Sequence, residues 1–390
     1  MKIVHYLARV NMTEGGLVSA VLDICRPLAA AGHEVVIITY DDTDIPGDWG
    51  DSGTPQPIVV AKPTRRPGLF NKAALLRLEL LIKAADVLHL HTPWEITNVQ
   101  IAAVANRRGI PYVLSAHGML DDWSMAQRSF KKRLYLAMFG RRLLERAGCV
   151  HCTATAEHDQ ARKWFPRGRA EEIPLMFDLE PYRKSPRSQA AGSVVPDAKL
   201  GTPMLLFLSR LHYGKGVDVL IKAADLLRRR NQPFRLVIAG SGDQKYMEQL
   251  RRSVESRDLE SIVTFVGSVT GAAKLSLYQA ADMLVLPTIH ENFGLVIPEA
   301  LACKTPVVTT KGVAIWPELE KSGGVLIAER TAISIAEAIT ILLADPERLK
   351  TMAEAGHRWV LETFGSDQIM QRYAMMYEKV MLGEPGIQQM

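Results

Sequence analysis

Residues 1–40, MKIVHYLARVNMTEGGLVSAVLDICRPLAAAGHEVVIITY, decide the fold. The apolar run at 2–8 has the length of a buried strand, the loop RVNMTEGG follows it, and Leu17 to Ala31 carries the period of a helix. Gly32 stops that helix, and EVVIITY is a second continuous apolar strand. Strand, glycine-bearing loop, helix and strand make a βαβ unit, so the two strands run parallel and the loop at their C-terminal end faces the ligand.

The alternation continues through DVLHLH, PYVLSAH and CVHCTA to about residue 170, which predicts a doubly wound parallel sheet. Residues 174–203 lose all periodicity and collect Pro, Ser, Gly and charge, the composition of a linker. Beyond it MLLFLS, RLVIAG, IVTFVG, MLVLPT, PVVTT and GVLIA are spaced by helical stretches, a second sheet of the same kind. The expected organisation is an α/β chain of two Rossmann-like domains facing a central cleft. An N-terminal domain spans 1–173, a linker 174–203 and a C-terminal domain 204–365, and a closing helix in 366–390 packs back on the N-terminal domain. The Met and Tyr positions of IMQRYAMMYEKVM read as packing.

Composition narrows the class. A chain of 390 residues with 47% hydrophobic and 23% charged residues is an ordinary globular protein with more than one core. The net charge of +5 suits an anionic ligand or surface, and it falls short of a dedicated nucleic-acid binder. No run of about 20 apolar residues and no signal peptide is seen, so a cytoplasmic protein is expected. Cys25, Cys149, Cys152 and Cys303 read as reduced, buried thiols. Cys149 and Cys152 form a CxxC, but a second ligand pair for zinc is missing and a buried strand explains them better.

Chemistry is sought in the loops after the strands. In FLSRLHYGKGVDVL, Arg210 ends a strand, Gly214 and Gly216 free the backbone, and Lys215 stands before a helix whose amides and dipole attract anions. Two cations at such a helix end make a pyrophosphate site, although this is no Walker loop. VIAGSGDQ holds Gly240 and Gly242 after a strand, where a tight turn and a ligand contact are equally good readings. In HENFGLVIPEALACKTPVV, residues 290–308, Glu291 lies in the loop and Glu299 near the start of an apolar helix. A carboxylate in an apolar helix needs a partner, and sugar hydroxyls are paired donors for it, with a cap on its own helix or a pair with a lysine as the competing explanations. Gly15 and Gly16 open the first helix, and His117 in LSAHGML ends a strand where it could bond a reacting sugar.

Taken together, EGG, SRLHYGKG and HENFGLVIPEALACKTPVV resemble the motifs of the retaining GT-B glycosyltransferases of family GT4, over nearly the whole chain. The resemblance implies the GT-B fold and a metal-independent, retaining hexosyltransferase whose C-terminal domain binds a nucleotide-sugar donor, a UDP- or GDP-sugar. It implies Arg210 and Lys215 on the pyrophosphate, Glu299 on the ribose and Glu291 on the sugar hydroxyls. Asn292 lies in the same motif, with the amides of Phe293, Gly294 and Leu295 along the phosphates and sugar. His117 matches the family's cleft histidine, and Gly15 and Gly16 its glycine loop. AHGML and AIWPEL are similar to a subgroup that builds bacterial surface polysaccharides, which implies a glycan or lipid-linked acceptor. Two departures stand out: Lys304 replaces a common Gly, and IPLMFD replaces an Asn-Gly after the linker proline.

Four other readings compete. Asp41 to Asp44, DDTD, could hold a metal as in the other main transferase fold, but its position after a second strand favours a solvated turn. A dehydrogenase lacks its GxGxxG here, and a glycosidase does not call for a phosphate site. A non-catalytic nucleotide-sugar binder would use the same residues. Finally Arg128 to Gly148, RSFKKRLYLAMFGRRLLERAG, reads as a helix of basic pairs beside Leu, Tyr, Met and Phe, either a solvated face or a peripheral contact with the anionic inner face of the plasma membrane.

Overall fold

The computed structural model describes residues 1–64, 68–176, 179, 181–182 and 201–383. Most of the expected linker, and Phe177 and Asp178 of IPLMFD, lie outside the described residues. The chain divides into two compact units, Met1–Phe177 with Ser366–Met390, and Asp178–Gly365.

The first unit holds a seven-stranded sheet of β1 (Lys2–Tyr6), β2 (Glu34–Thr39), β3 (Gln56–Val59), β4 (Val87–His91), β5 (Tyr112–Ser115), β6 (Cys149–Cys152) and β7 (Ala170–Glu172). Their order is β3-β2-β1-β4-β5-β6-β7, and every pairing is parallel. The second unit holds β8 (Met204–Leu208), β9 (Arg235–Ala239), β10 (Val263–Gly267), β11 (Met283–Leu286), β12 (Val307–Thr310) and β13 (Val325–Ala328) in the order β10-β9-β8-β11-β12-β13. Each is a doubly wound Rossmann-like sheet. The order reverses beside β1 and β4 in the first and beside β8 and β11 in the second, and such switch points are where open α/β sheets bind ligands. Consequently the two loops that follow β8 and β11, the ones richest in chemistry, are neighbours.

The apolar runs became the inner strands because burial on both faces leaves no room for alternation. Strands β3 and β7 were not expected. Both are edges with part-exposed residues, β3 carries Pro57 and β7 is Ala-Glu-Glu, so neither bears an apolar signature.

One face of the first sheet carries a polar layer. Register pairs His5 with His89, His91 with Ser115 and Ser115 with His151, so these side chains share a face. The closing helix Ser366–Leu382 lies over it. The proton positions follow from one carbonyl. Ile173 O can only accept, so His151 Nε2 donates to it at 2.7 Å and His151 Nδ1 accepts from the Ser115 hydroxyl at 2.7 Å. Ser115 Oγ then accepts from His89 Nε2 at 2.7 Å, and His89 Nδ1 accepts from the Tyr377 hydroxyl at 2.7 Å. Tyr373 OH also lies 3.2 Å from His151 Nε2. Tyr373, Met376 and Tyr377 are buried, so the closing helix packs through them as well as bonding through its tyrosines.

The segment after Arg128 is helical but not uniform. Ser129–Tyr135 is α-helical, Leu136–Gly140 widens to a π-turn and Arg141–Glu145 returns to α.

Candidate active site

After β8 the chain passes Arg210, makes a single 3-10 turn at Tyr213–Lys215 and enters the helix Val217–Arg229 through Gly216. Gly216 has φ +76°, and a Cβ there would overlap the Pro287 carbonyl oxygen, so only glycine meets both demands. The loop is fastened to the one after β11. Ile289 N–H donates to Gly214 O at 2.8 Å and the Thr288 hydroxyl donates to the same oxygen at 3.0 Å. No side chain caps the helix, which leaves its first amides open to an anion. Arg210 is exposed and makes no hydrogen bond or ion pair among the described residues. Burial, then the charges of Arg210 and Lys215, lower the pKa of His212, which lies between them in sequence. Gly240 and Gly242 serve the backbone: a Cβ at either would overlap the carbonyl of Ser209 or Leu211.

Glu291 and Lys215, 76 residues apart, form an ion pair with both side chains mostly buried. Glu291 is held by its backbone, donating to Gly312 O at 2.8 Å and accepting from Ala314 N–H at 2.8 Å. Gly294 has φ +70° and a Cβ there would crowd Glu291 Cγ at 2.9 Å, so the turn through Asn292, Phe293 and Gly294 fits tightly around the carboxylate. Phe293 is buried edge-on to Phe364 with centroids 5.6 Å apart, which leaves its backbone as the part that can touch a ligand. Leu295 precedes the short helix Val296–Ala302.

Glu299 is already partnered without a ligand. Its partners are within the protein: Lys274 Nζ at 2.6 Å on one oxygen and the Tyr278 hydroxyl at 2.7 Å on the other. Its burial is therefore explained without a ligand, by a lysine, one of the competing explanations. It does not join the Lys215–Glu291 pair; only the remaining lone pairs of its carboxylate are left to meet a hydroxyl.

In the first unit Gly15 has φ +85° and ψ −153°, a region essentially confined to glycine, and Gly16 begins the helix Gly16–Ala30 with no side-chain cap. His117 follows β5 at φ +50°, and the next residue, Gly118, donates its N–H to the buried Glu157. Glu157 also accepts from Thr153 N–H at 2.6 Å and the Thr153 hydroxyl at 2.7 Å, fixing the turn. His117 keeps part of its surface open, yet burial, with the nearby His151, pushes its pKa down to about 3. It is a neutral hydrogen-bonding group at physiological pH, not a cation.

Sequence reading missed a second cluster at the same sheet end. Arg9 donates from Nε to Glu14 at 2.7 Å and from Nη1 to the Tyr40 hydroxyl at 3.2 Å, and lies 4.0 Å from Glu95. Burial raises the pKa of Glu95 while Arg9 opposes the rise. Thr92 beside it has φ +67°, an outlier for a β-branched residue. These residues come one to four positions beyond β1, β2 and β4 or from the turn Met12–Glu14, and that placement is the signal that could have found them.

Asp41 and Asp44 serve turns: Asp41 accepts from Thr43 N–H at 3.2 Å, and Asp44 from Met12 N–H at 2.6 Å. Cys149 and Cys152 are buried free thiols on β6, and burial pushes Cys149 up to about 12. Lys304 has φ +61°, the conformation for which the glycine would be suited. Among the described residues no helix is long and apolar enough to cross a membrane.

With this geometry in hand, comparison with known proteins gives a coherent result. Residues 15–175 match the family model "Glycosyl transferase 4-like domain" and residues 193–359 match "Glycosyl transferases group 1". An uncharacterized glycosyltransferase of Methanocaldococcus jannaschii is 26% identical over 94% of this chain and 95% of its own. A D-inositol 3-phosphate glycosyltransferase of Pseudarthrobacter chlorophenolicus is 28% identical over 87% of this chain and 85% of its own. A solved Anabaena protein, HepE in complex with UDP, has a TM-score of 0.79 at 20% identity, covering 97% of this chain and all of that one. Sucrose-phosphate synthase from Thermosynechococcus elongatus gives 0.76 at 22% identity, covering 98% of this chain and 100% of that one.

Proposed function

We infer the reaction of this chain from the premise that it is a GT-B glycosyltransferase of family GT4: it moves a hexose from a nucleotide-diphosphate sugar to a glycan or lipid-linked acceptor, with retention at the anomeric carbon. The observation that carries this reading is the pairing of Lys215 with Glu291 beside a loop in which Gly216 admits no side chain. A diphosphate at the open amides of the helix Val217–Arg229 takes Lys215 as its counter-ion and meets Arg210. Glu291, released from the lysine, turns to the donor sugar hydroxyls. As the bond from sugar to phosphate stretches, negative charge grows on the leaving group, and fixed cations stabilise that state more than the ground state. Losing one such contact costs about 3 kcal/mol of barrier, roughly a hundredfold in rate. By the resemblance, Glu299 bonds the ribose with its free lone pairs, the amides of Phe293 to Leu295 line the phosphates, and Gly15, Gly16 and His117 attend the sugar and acceptor. Relatives support a nucleotide sugar: the Anabaena structure holds UDP, and a 28% identical mycobacterial relative is named a GDP-mannose-dependent mannosyltransferase.

Thermal shifts with UDP-, GDP- and ADP-sugars test the donor. One nucleotide class should stabilise the wild type by roughly 2.7 kcal/mol at a hundred times its dissociation constant and leave Lys215→Ala unmoved. A shift in neither protein would overturn the reading, and binding without transfer to any acceptor would make the chain a non-catalytic binder. The anomer of the product, read by NMR, tests retention.

On this reading the segment after Arg128 docks the enzyme at a membrane, where a lipid-linked acceptor would be presented. Phe130, Leu134 and Met138 recur at four-residue spacing and are 78%, 50% and 59% exposed, flanked by exposed Lys131, Arg133, Arg141 and Arg142. An exposed apolar stripe between cations fits an anionic bilayer surface. Co-sedimentation with vesicles should require anionic lipid and fall with Phe130→Ser and Leu134→Ser; binding indifferent to lipid charge would exclude the docking role.

A further inference from the structure

A neutral imidazole donates from one nitrogen and accepts at the other, so a histidine that touches substrate needs its proton placed. His117 Nε2 lies 3.1 Å from His91 Nδ1, and His91 Nε2 lies 3.1 Å from His5 Nδ1. The row ends at His5 Nε2, which is buried and has no hydrogen-bond partner among the described residues. Two directions are open to it. If His117 donated from Nε2, each histidine would pass the bond on and His5 would bury an N–H without an acceptor, the rarest kind of orphan. If His5 donates from Nδ1, the N–H groups of His5 and His91 both have acceptors and the orphan left buried at His5 Nε2 is only a lone pair. That direction puts the His117 proton on Nδ1, the nitrogen that makes no hydrogen bond among the described residues.

We propose that His91, backed by His5, is a positioning residue that fixes His117 in the Nδ1-protonated tautomer, so that His117 meets the substrate as a hydrogen-bond donor. The proposal rests on the reading of His117 as a substrate-contacting residue. Burial keeps all three imidazoles neutral, which the relay requires, since a protonated member would donate from both nitrogens.

A metal is the competing use of these side chains, because His5, His89 and His91 each bring a ligand nitrogen within 4.8 Å of the others. The ring geometry opposes it. His89 and His91 stack face to face with centroids 4.3 Å apart, and His5 Nδ1 and His91 Nε2 face each other at 3.1 Å as donor and acceptor, so the ring nitrogens do not converge on one centre. Both nitrogens of His89 are already bonded, to Tyr377 and Ser115.

The test is nitrogen NMR on the whole ligand-free protein carrying ring-15N histidine, with His117→Ala to assign the signals. The expected result is a protonated Nδ1 and a bare Nε2 on His117; the reverse overturns the proposal. His91→Phe should move the His117 proton partly to Nε2 and lower kcat/KM roughly threefold to tenfold, the worth of one hydrogen bond. His91→Gln, which can donate and accept, should restore both. Activity lost in His91→Phe while His117 keeps its Nδ1 proton would mean packing alone and would also overturn the relay. If His91→Phe does not fold, His5→Phe removes the far donor and should loosen the tautomer in the same sense. Because the tautomer is read without substrate, an Nδ1 proton in a protein that transfers no sugar counts against the reaction and not against the relay.

Discussion

Lowering the pH should unfold the first unit well before the second. Five histidines of the first unit, His5, His89, His91, His117 and His151, are held below their ordinary pKa of 6.5 by burial, three of them to about 3, 3 and 4. Imidazole neighbours and Arg372 add to the effect, the Ile173 carbonyl opposes it at His151, and the other facing groups are the Ser115, Tyr373 and Tyr377 hydroxyls, none an anion that could welcome a proton. Because the folded values lie below the unfolded one, this stability is complete above pH 6.5 and is lost as the pH falls through it. At pH 5.5 the unfolded chain takes up nearly one proton per histidine that the native state refuses, about 1 kcal/mol each. Five of them amount to roughly 5 to 7 kcal/mol, which rivals the entire margin of an ordinary domain. Urea unfolding of the full chain between pH 5 and 6.5, followed by tryptophan fluorescence, should show a stability that rises steeply with pH, and His5→Leu should lower that slope by about one proton. A slope of one proton or less in the wild type would refute the neutral histidine layer.

Other outcomes follow from single side chains. Gly216→Ala should cost more than about 3 kcal/mol or displace the loop, because the new Cβ meets the Pro287 carbonyl at a positive φ, and it should abolish nucleotide-sugar shifts in thermal melts. Tyr278→Phe leaves the buried Glu299 one donor short and should lower the stability of the second unit by about 1.5 to 3 kcal/mol, read by calorimetry. Lys304→Gly should be more stable than Lys304→Ala by about 1 kcal/mol, since both lose the exposed pair with Glu354 and only glycine relieves φ +61°.

The inner strands were legible because each is a continuous apolar run, and the loops after β8 and β11 because glycine, arginine, lysine and glutamate have few reasons to meet there. Strands β3 and β7 were hidden, since β3 carries Pro57 and β7 is Ala-Glu-Glu, whereas the edge strands β10 and β13 keep an apolar run and were read. The Lys215–Glu291 pair and the Lys274 and Tyr278 partners of Glu299 join residues 76, 25 and 21 positions apart, and nothing local announces such contacts. The histidine layer was half visible: His89 and His91 alternate within an apolar strand and so share a face, but the tyrosines that complete it lie far along the chain, 288 residues from His89 to Tyr377 and 222 from His151 to Tyr373.

The closing helix has a consequence for how the protein is made. Tyr377 satisfies His89 and Tyr373 lies against His151, both residues of the first sheet, from the closing helix Ser366–Leu382. Domains ordinarily fold in the order they leave the ribosome. Here the second unit emerges whole while the first still has an uncovered face on which His89 Nδ1 lacks its partner, so the domain synthesised first is the one completed last. Any interruption of synthesis after Gly365 would release a chain whose second half is folded and whose first half lacks its final helix.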